Sequence, residues 1–372
     1  MIRRHAWAQT RGRMTVASLL GGLALMLASA SAAEASVNPK FWGVHYRSSD
    51  NLRWDVQRMD QGKVGTVRLA LSWPQVERSL GHFDWWVPDR IIGALTSRGI
   101  TVLPYVYGSP AYAADEPTTP PLDSDIVRWE WKEFLRRAVD RYGPGGYYWR
   151  AGGPYHSRYG AGAPEGPIRA WQIWNEPNLT HYFTPKPSAS KYATLLRISH
   201  DAIKSQDPHA KIVLAGMPGL IGLTTGLRFL DDLYKQGIKR DFDVAALHPY
   251  SETMREFSYQ MNQYRSVMRR YVDGQTPLWI TEMGWGSARP DGHLNMGLRG
   301  QKRMLRNSFK LILHNRKRWR IGRVIWFEWR DPPRDIPDHG GCSFCLSSGL
   351  FRYALKPKPA WGVYQHFTGA LP

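Results

Sequence analysis

Residues 100–174 decide the fold, because they hold two β-rich runs with a helical segment between them. The first run is ITVLPYVY (Ile100–Tyr107) and the second is RAWQIW (Arg169–Trp174). Between them, Ile126–Tyr142 follows three polar residues (123–125) and carries apolar residues at helical spacing. Strands that alternate with helices in this way are typical of a parallel sheet.

The same alternation extends along the chain and gives eight β-rich runs. They are Phe41–Tyr46, Thr66–Trp73, Ile100–Tyr107, Arg169–Trp174, Lys211–Ala215, Phe242–His248, Pro277–Thr281 and Arg323–Trp329. Ser190–Gln206 and Leu298–Arg316 also have helical spacing. Eight strands with seven helical segments between them predict an α/β fold of one domain, a (β/α)8 barrel. An open sheet would need a glycine-rich phosphate loop, which no strand–turn–helix unit carries.

Two stretches depart from an ideal barrel. Gly143–Gly166, rich in Gly, Tyr and Pro, precedes the fourth strand and is expected toward the N-terminal face. Asp331–Leu350 follows the eighth strand, on the C-terminal face, and contains Cys342 and Cys345. These two cysteines cannot supply four zinc ligands. In a cytosolic chain they would suggest redox chemistry, and in an exported chain a small disulfide that fixes the loop.

The N-terminus has the layout of a secretory signal peptide. Residues 1–13 carry four Arg and no acidic residue, Met14–Ala28 is mostly apolar, and an A-x-A site follows at 30–32. We therefore predict a signal peptide over 1–33, a (β/α)8 domain over 34–372 and a secreted or extracytoplasmic protein. An uncleaved leader that anchors the chain is the alternative.

The 372 residues include 50 Lys and Arg against 31 Asp and Glu, a net charge of +19, and 42% are hydrophobic. This apolar content excludes bulk disorder. The charge suits an anionic cell surface or an acidic polysaccharide, and nothing resembles a nucleic-acid module. The densest basic run, His314–Arg323, should lie on the N-terminal face, where a solvated helix end would explain it equally. Arg330 and Arg334 follow strand eight and leave an anionic substrate open.

Two glutamates stand where an apolar run meets its loop. Glu176 lies in WNEPN after strand four, and Glu282 lies in TEMGW after strand seven. The C-terminal ends of barrel strands carry the catalytic residues of this fold. Either glutamate alone could be an ion-pair partner of an Arg, but two across one mouth weaken that interpretation. Paired carboxylates are what cleavage of a glycosidic bond requires.

These motifs resemble the clan A glycoside hydrolases, retaining (β/α)8 enzymes that include cellulase-like family 5 and β-xylosidase-like family 39. The resemblance covers about residues 38–366 in the order of the elements. It implies that Glu176 is the general acid/base and Glu282 the nucleophile, with carboxyl groups about 5–5.5 Å apart. It also implies substrate-binding or supporting roles for Asn175, Arg68, His248, Tyr250, Trp326 and His45. Trp326 is preferred to Trp329 as the platform under the sugar.

Other residues are weaker candidates. Trp73, Tyr107, Asn178 and Trp285 are expected at the rim of the mouth, whereas Glu252 and Glu328 lack the flanking pattern, and we interpret Glu328 as structural. The sequon at Asn178 falls at the expected mouth and is interpreted as coincidence. No metal-ligand spacing stands out, so neither a metal nor a cofactor is predicted.

The leading functional hypothesis is a secreted retaining glycoside hydrolase that acts on a polysaccharide or oligosaccharide. A transglycosylase with the same residues is a close alternative. A second class is a non-catalytic barrel that binds carbohydrate, and a third is a cell-surface protein that works through its basic residues. We expect a monomer, since no apolar stripe is left over once the barrel is built.

Overall fold

The computed structural model describes residues 37–47, 50–219, 225–291, 293–333 and 342–371. The predicted signal peptide over residues 1–33 and Arg334 lie outside these residues. Residues 39–372 form one compact unit by their contacts. Within the described residues, no helix is long and apolar enough to cross a membrane.

Eight parallel strands form the sheet. They are β1 (Trp42–His45), β2 (Thr66–Ser72), β3 (Thr101–Tyr107), β4 (Ala170–Ile173), β5 (Lys211–Val213), β6 (Ala245–Leu247), β7 (Leu278–Met283) and β8 (Ile321–Trp326). Their order is β5-β4-β3-β2-β1-β8-β7-β6. A parallel bridge between Val213 and Val244 joins the two outer strands. The predicted (β/α)8 barrel is therefore confirmed. Regular strand pairing closes it everywhere except between β5 and β6, where this single bridge is found.

One principal helix follows each strand. These helices are α1 (Leu52–Gln61), α2 (Trp86–Thr96), α3 (Asp125–Tyr142), α4 (Ala189–Gln206), α5 (Gly226–Lys235), α6 (Met254–Arg270), α7 (Gly297–Trp319) and α8 (Pro359–Thr368). Ser124 and Ser188 cap α3 and α4 by accepting a hydrogen bond from a backbone N–H three residues on. The predicted helices agree with these bounds except at α7, which continues to Trp319.

Side chains fill the barrel interior below the mouth. A buried cluster there joins Leu103, Ala170, Val213, Val244, Ala246 and Trp279. Large and small residues from different strands therefore interdigitate, as in a packed barrel rather than a pore. This floor supports the polar residues at the C-terminal strand ends.

The two irregular stretches have separate roles. Segment 143–166 joins the end of α3 to the start of β4, and its Tyr148 donates to the carbonyl of Asp89 in α2. After β8, Cys342 and Cys345 form the predicted disulfide. The short helix Ser343–Leu346, which contains Cys345, includes Phe344, whose ring packs against Tyr250 at 5.1 Å between centroids. This loop therefore reaches the C-terminal ends of the strands.

Candidate active site

Glu176 and Glu282 face each other at the mouth of the barrel. Each is only 6% exposed, and one carboxylate oxygen of each lies within 4.8 Å of the other. Glu282 belongs to β7, whereas Glu176 follows β4 with a backbone φ of +41°, after Trp174 at +69°. Positive φ values are rare for such residues and concentrate at functional sites. The turn after β4 thus directs Glu176 into the mouth.

Three neighbours control the charge of Glu282. Arg68 Nη1 donates to its Oε1 at 2.5 Å, the Tyr250 hydroxyl donates to its Oε2 at 2.7 Å, and His248 Nδ1 lies 3.7 Å from that oxygen. Burial raises the pKa of Glu282, but the charges of His248 and Arg68 and the hydrogen bond from Tyr250 outweigh it. The pKa falls to about 2, so this carboxyl group is ionised at neutral pH.

Glu176 has the opposite environment. Burial raises its pKa above the usual value, and the nearby charge of Glu282 raises it further, although His248 opposes both. His248 Nδ1 lies 2.6 Å from Glu176 Oε1, and its Nε2 lies 3.0 Å from the hydroxyl of Thr281. Gln172 also donates to that hydroxyl, at 3.2 Å. A chain of polar contacts therefore fixes the imidazole against the carboxyl group.

Arg68 connects the floor of the site. It is fully buried, and its Nε donates to Gln172 at 2.6 Å while its Nη2 donates to Asn175 Oδ1 at 2.7 Å. Its guanidinium also lies 4.1 Å from the centroid of the Tyr105 ring. A planar guanidinium with several donors suits such a fixed network. Arg68 orients Asn175 and Glu282 together, which places both sequence-predicted residues in one cluster.

His45, at the end of β1, contributes a polar group with no partner among the described residues. Only 3% of the residue is exposed, and both ring nitrogens lack a hydrogen bond. Burial lowers the pKa of His45 well below its usual value, so the imidazole is neutral. A neutral imidazole presents one donor and one acceptor, which suits a sugar hydroxyl.

The placement of Trp326 contradicts its predicted role under the sugar. Trp326 is fully buried, packs against Trp285 and Phe309 of α7, and donates its indole N–H to the carbonyl of Ser348. It pairs with Val44 in β1 and so faces the helical layer outside the barrel. Trp329 is also core, bonded to Asp55 and packed on Phe351.

Phe327, which was not predicted, lies between two residues of the site, His45 and Tyr250. Its ring stacks on His45 at 5.1 Å between centroids and meets Tyr250 edge-on at 6.3 Å. Phe344 of the disulfide loop lies 6.5 Å from it. Both phenylalanines therefore lie beside Tyr250, whose hydroxyl group donates to Glu282, and Phe344 comes from a distant part of the chain.

The other rim predictions divide. Trp73 and Trp285 are fully buried and packed in the core, so both predictions are wrong. Asn178 is also fully buried. Tyr107 is half-buried and packs against Trp174, which places it beside the turn that carries Glu176.

Two further charged groups complete the surroundings. Glu328 is buried and bonded to Arg47 through both of its oxygens, and burial raises the pKa of Glu328 to about 7 despite this partner. Arg330 is buried, with its Nη2 3.8 Å from Asp55 Oδ2, and is not exposed at the mouth. Glu252 is exposed. Four residues of the site and its surroundings were not predicted: Gln172, Thr281, Arg47 and Phe344. Gln172 could have been found, because a polar Gln within the apolar run RAWQIW indicates a functional or structural contact.

The same carboxyl groups and imidazole have a spacing that a metal ion could bridge. Glu176, His248 and Glu282 each offer one ligand atom, and these atoms lie within 4.8 Å of one another. His248 Nδ1, however, already contacts Glu176 at hydrogen-bond distance. The acid and base chemistry of the pair needs no cation, so the arrangement is that of two carboxyl groups with opposite pKa shifts.

Comparison with known proteins points to the same chemistry. Residues 165–338, which include both glutamates, match the family model described as the glycosyl hydrolase catalytic core. Just under half of the chain is therefore similar to this catalytic core. No curated protein matches its sequence. The resemblance to glycoside hydrolases that we found in WNEPN and TEMGW is confirmed by this match.

Solved structures share the fold at low identity. A family 39 glycoside hydrolase from Bacteroides cellulosilyticus WH2 is 18% identical with a TM-score of 0.64, over 90% of this chain and 65% of that one. A β-xylosidase from Caulobacter crescentus CB15 is 16% identical with a TM-score of 0.62, over 87% of this chain and 67% of that one. A GH5_18 protein from Streptomyces cattleya, in complex with Manβ1-4GlcNAc, is 15% identical with a TM-score of 0.63, over 88% of this chain and 80% of that one. The chain thus spans 65% of the length of the first of these relatives, which is less than two thirds.

Proposed function

We propose that the protein is a retaining glycoside hydrolase that cleaves O-glycosidic bonds of a polysaccharide or oligosaccharide by double displacement. The observation that carries this proposal is the pair of carboxyl groups, with oxygens within 4.8 Å and pKa values shifted in opposite directions. Retaining enzymes keep the two groups close, whereas inverting enzymes separate them by about 6.5–9.5 Å to admit a water molecule.

The first half of the proposed reaction uses both groups at once. Protonated Glu176 gives its proton to the leaving oxygen as ionised Glu282 attacks the anomeric carbon, so the glycosidic bond breaks as an ester to Glu282 forms. Arg68 and Tyr250 hold the attacking carboxylate in one orientation. In the second half, Glu176 removes a proton from water, which attacks the same carbon and releases Glu282.

The binding of the sugar falls to the neighbouring residues. Asn175 is held by Arg68 beside Glu282, where its amide group is available to a hydroxyl of the sugar. His45 offers its unpaired ring nitrogens, and Phe327 offers an aromatic surface against which C–H groups can pack. The known relatives act on several sugars, so the proposal is limited to the reaction and to carbohydrate as the substrate class.

The stereochemistry of the product tests this proposal. Aryl xylosides, galactosides, mannosides and glucosides would be hydrolysed and the first anomer formed would be observed by proton NMR before mutarotation. We expect the product to have the anomeric configuration of the substrate. The opposite anomer would show inversion and overturn the double displacement. Failure on every aryl glycoside and polysaccharide would favour a non-catalytic binding barrel.

The opposite pKa shifts predict the pH profile. Activity requires ionised Glu282, which is lost only as the pH falls toward about 2, and protonated Glu176, which is lost as the pH rises through a pKa raised above its usual value. We expect kcat/KM to be high at acidic pH and to fall on the alkaline side. Tyr250→Phe removes a hydrogen bond that lowers the pKa of Glu282, so it should move only the acidic limb upward. A movement of the alkaline limb alone would contradict the assignment.

We also propose that the protein works outside the cytoplasm. The disulfide between Cys342 and Cys345 supports this, because such bonds persist in oxidising compartments. The composition of residues 1–33 supplies the second argument.

A further inference from the structure

A row of basic residues runs along the outward face of α7. The helix has eight Lys and Arg residues and no acidic residue. Six exposed residues, three or four positions apart, form what we name the α7 stripe: Arg299, Arg303, Arg306, Lys310, His314 and Lys317. Such spacing places them on one face, and at 1.5 Å per residue the row is about 27 Å long.

The charge of the α7 stripe is not neutralised by its surroundings. Within the described chain, none of its five Lys and Arg residues pairs with a carboxylate. The neighbouring helix α8 has no acidic residue, and α6 has one, Glu256, in its first turn. Elsewhere Arg141 forms an ion pair with Asp89. The stripe is therefore an open row of positive charge.

Helix stability does not explain this row. Basic residues are favoured near the C-terminal end of a helix, but Arg299, Lys302 and Arg303 lie near its N-terminus, where the helix dipole favours acids. Like charges three or four residues apart also repel each other. The stripe thus costs folding free energy, which is the expected signature of a surface kept for a ligand.

The direction of α7 connects the stripe to the mouth of the barrel. The helix follows β7, which carries Glu282, and in this fold a helix begins on the side where the preceding strand ends. Arg299 therefore lies at the end of the barrel that holds the carboxyl pair, and Lys317 lies at the opposite end. A polymer bound along the stripe would extend away from the mouth.

We propose that the α7 stripe binds a linear acidic polysaccharide and holds it beside the active site. The choice of a polysaccharide rests on the proposed glycosidase function. A single row of charges matches a linear polyanion, and each step of about 5–6 Å is comparable with the length of one sugar residue. No large hydrophobic side chain of α7 is exposed, so the helix lacks the apolar anchor of a membrane surface or the stacking platform of a nucleic-acid site.

The test measures affinity for polygalacturonate, a linear polyuronate, with uncharged dextran as the reference polymer. Arg303→Gln/Arg306→Gln/Lys310→Gln removes the centre of the stripe. Lys191→Gln/Lys211→Gln/Arg240→Gln removes the same charge from exposed positions elsewhere. We expect the stripe variant to weaken binding by roughly tenfold or more and the control variant to change it little. Binding by the wild type should also fall as salt is added, and dextran should not bind.

Three results would overturn the proposal: equal loss in both triple variants, equal binding of dextran, or binding of phosphatidylserine vesicles or duplex DNA without binding of polygalacturonate. Hydrolysis of an aryl glycoside should be unchanged in the stripe variant. Repeating the binding measurement with Glu282→Gln separates the two proposals. If no glycoside is cleaved but stripe-dependent binding persists, the enzymatic proposal fails and the binding site stands.

Discussion

Glu282→Ala is expected to lower kcat by about four to six orders of magnitude on any glycoside that the wild type cleaves. The substitution removes the atom that attacks the anomeric carbon. No other carboxylate of the described chain is placed to replace it, because burial raises the pKa of Glu176, which serves as the acid, and Glu328 is bonded to Arg47. The measurement is turnover of a dinitrophenyl glycoside, for which departure of the leaving group needs little assistance.

Two control experiments test whether the loss of turnover is specific to Glu282. Asp273→Asn neutralises another buried carboxyl group, which accepts a hydrogen bond from Tyr234 away from the mouth, and should leave turnover near that of the wild type. Adding azide to Glu282→Ala should restore product, as a glycosyl azide of inverted configuration, because the small anion fits the space left by the carboxylate. Turnover of Glu282→Ala equal to the wild type would remove Glu282 from the nucleophile role.

Much of the fold and the position of the two carboxyl groups followed from local sequence. Each strand is a short apolar run, and the polar residues that end β4 and β7 were visible as WNEPN and TEMGW. In a parallel barrel, knowing where strands end is enough to know that such residues converge. Asn175 and Arg68 also converge on Glu282, since barrel geometry brings neighbouring strand ends together.

The direction of the tryptophans could not be obtained this way. Trp326 and Trp329 are three residues apart, so alternation puts them on opposite faces only if the strand continues unchanged, and β8 ends at Trp326. The prediction that Trp73 lies at the rim was wrong for a related reason. The strand before it ends at Ser72, and the chain turns at once into a short helix, Trp73–Val76, which carries the indole into the core.

Contacts between distant segments were equally hidden. Phe344 packs against Tyr250, which lies far earlier in the chain, and Arg47 bonds to Glu328 across 281 positions of sequence. The α7 stripe was not predicted, because the sequence of the helix does not show which of its basic residues are exposed. Only the exposed face of the full helix shows that the basic row begins at Arg299.

Glu176→Ala should have an effect that depends on the leaving group. A glycoside with a poor leaving group needs the proton of Glu176, so kcat/KM should fall by about 10²- to 10⁴-fold. A dinitrophenyl glycoside departs unaided, so kcat/KM should change far less, while kcat falls because water is no longer activated in the second step. The glycosyl-enzyme on Glu282 should then accumulate, visible as an initial burst of dinitrophenol.

Azide again separates the roles, because the two variants should give products of opposite configuration. In Glu176→Ala, azide attacks the glycosyl-enzyme and yields a glycosyl azide with retained configuration, whereas in Glu282→Ala it attacks the substrate itself. The alkaline limb of the pH profile should also disappear with Glu176, since this limb reports the loss of its proton. Equal losses for good and poor leaving groups, with the alkaline limb intact, would assign the acid to another residue.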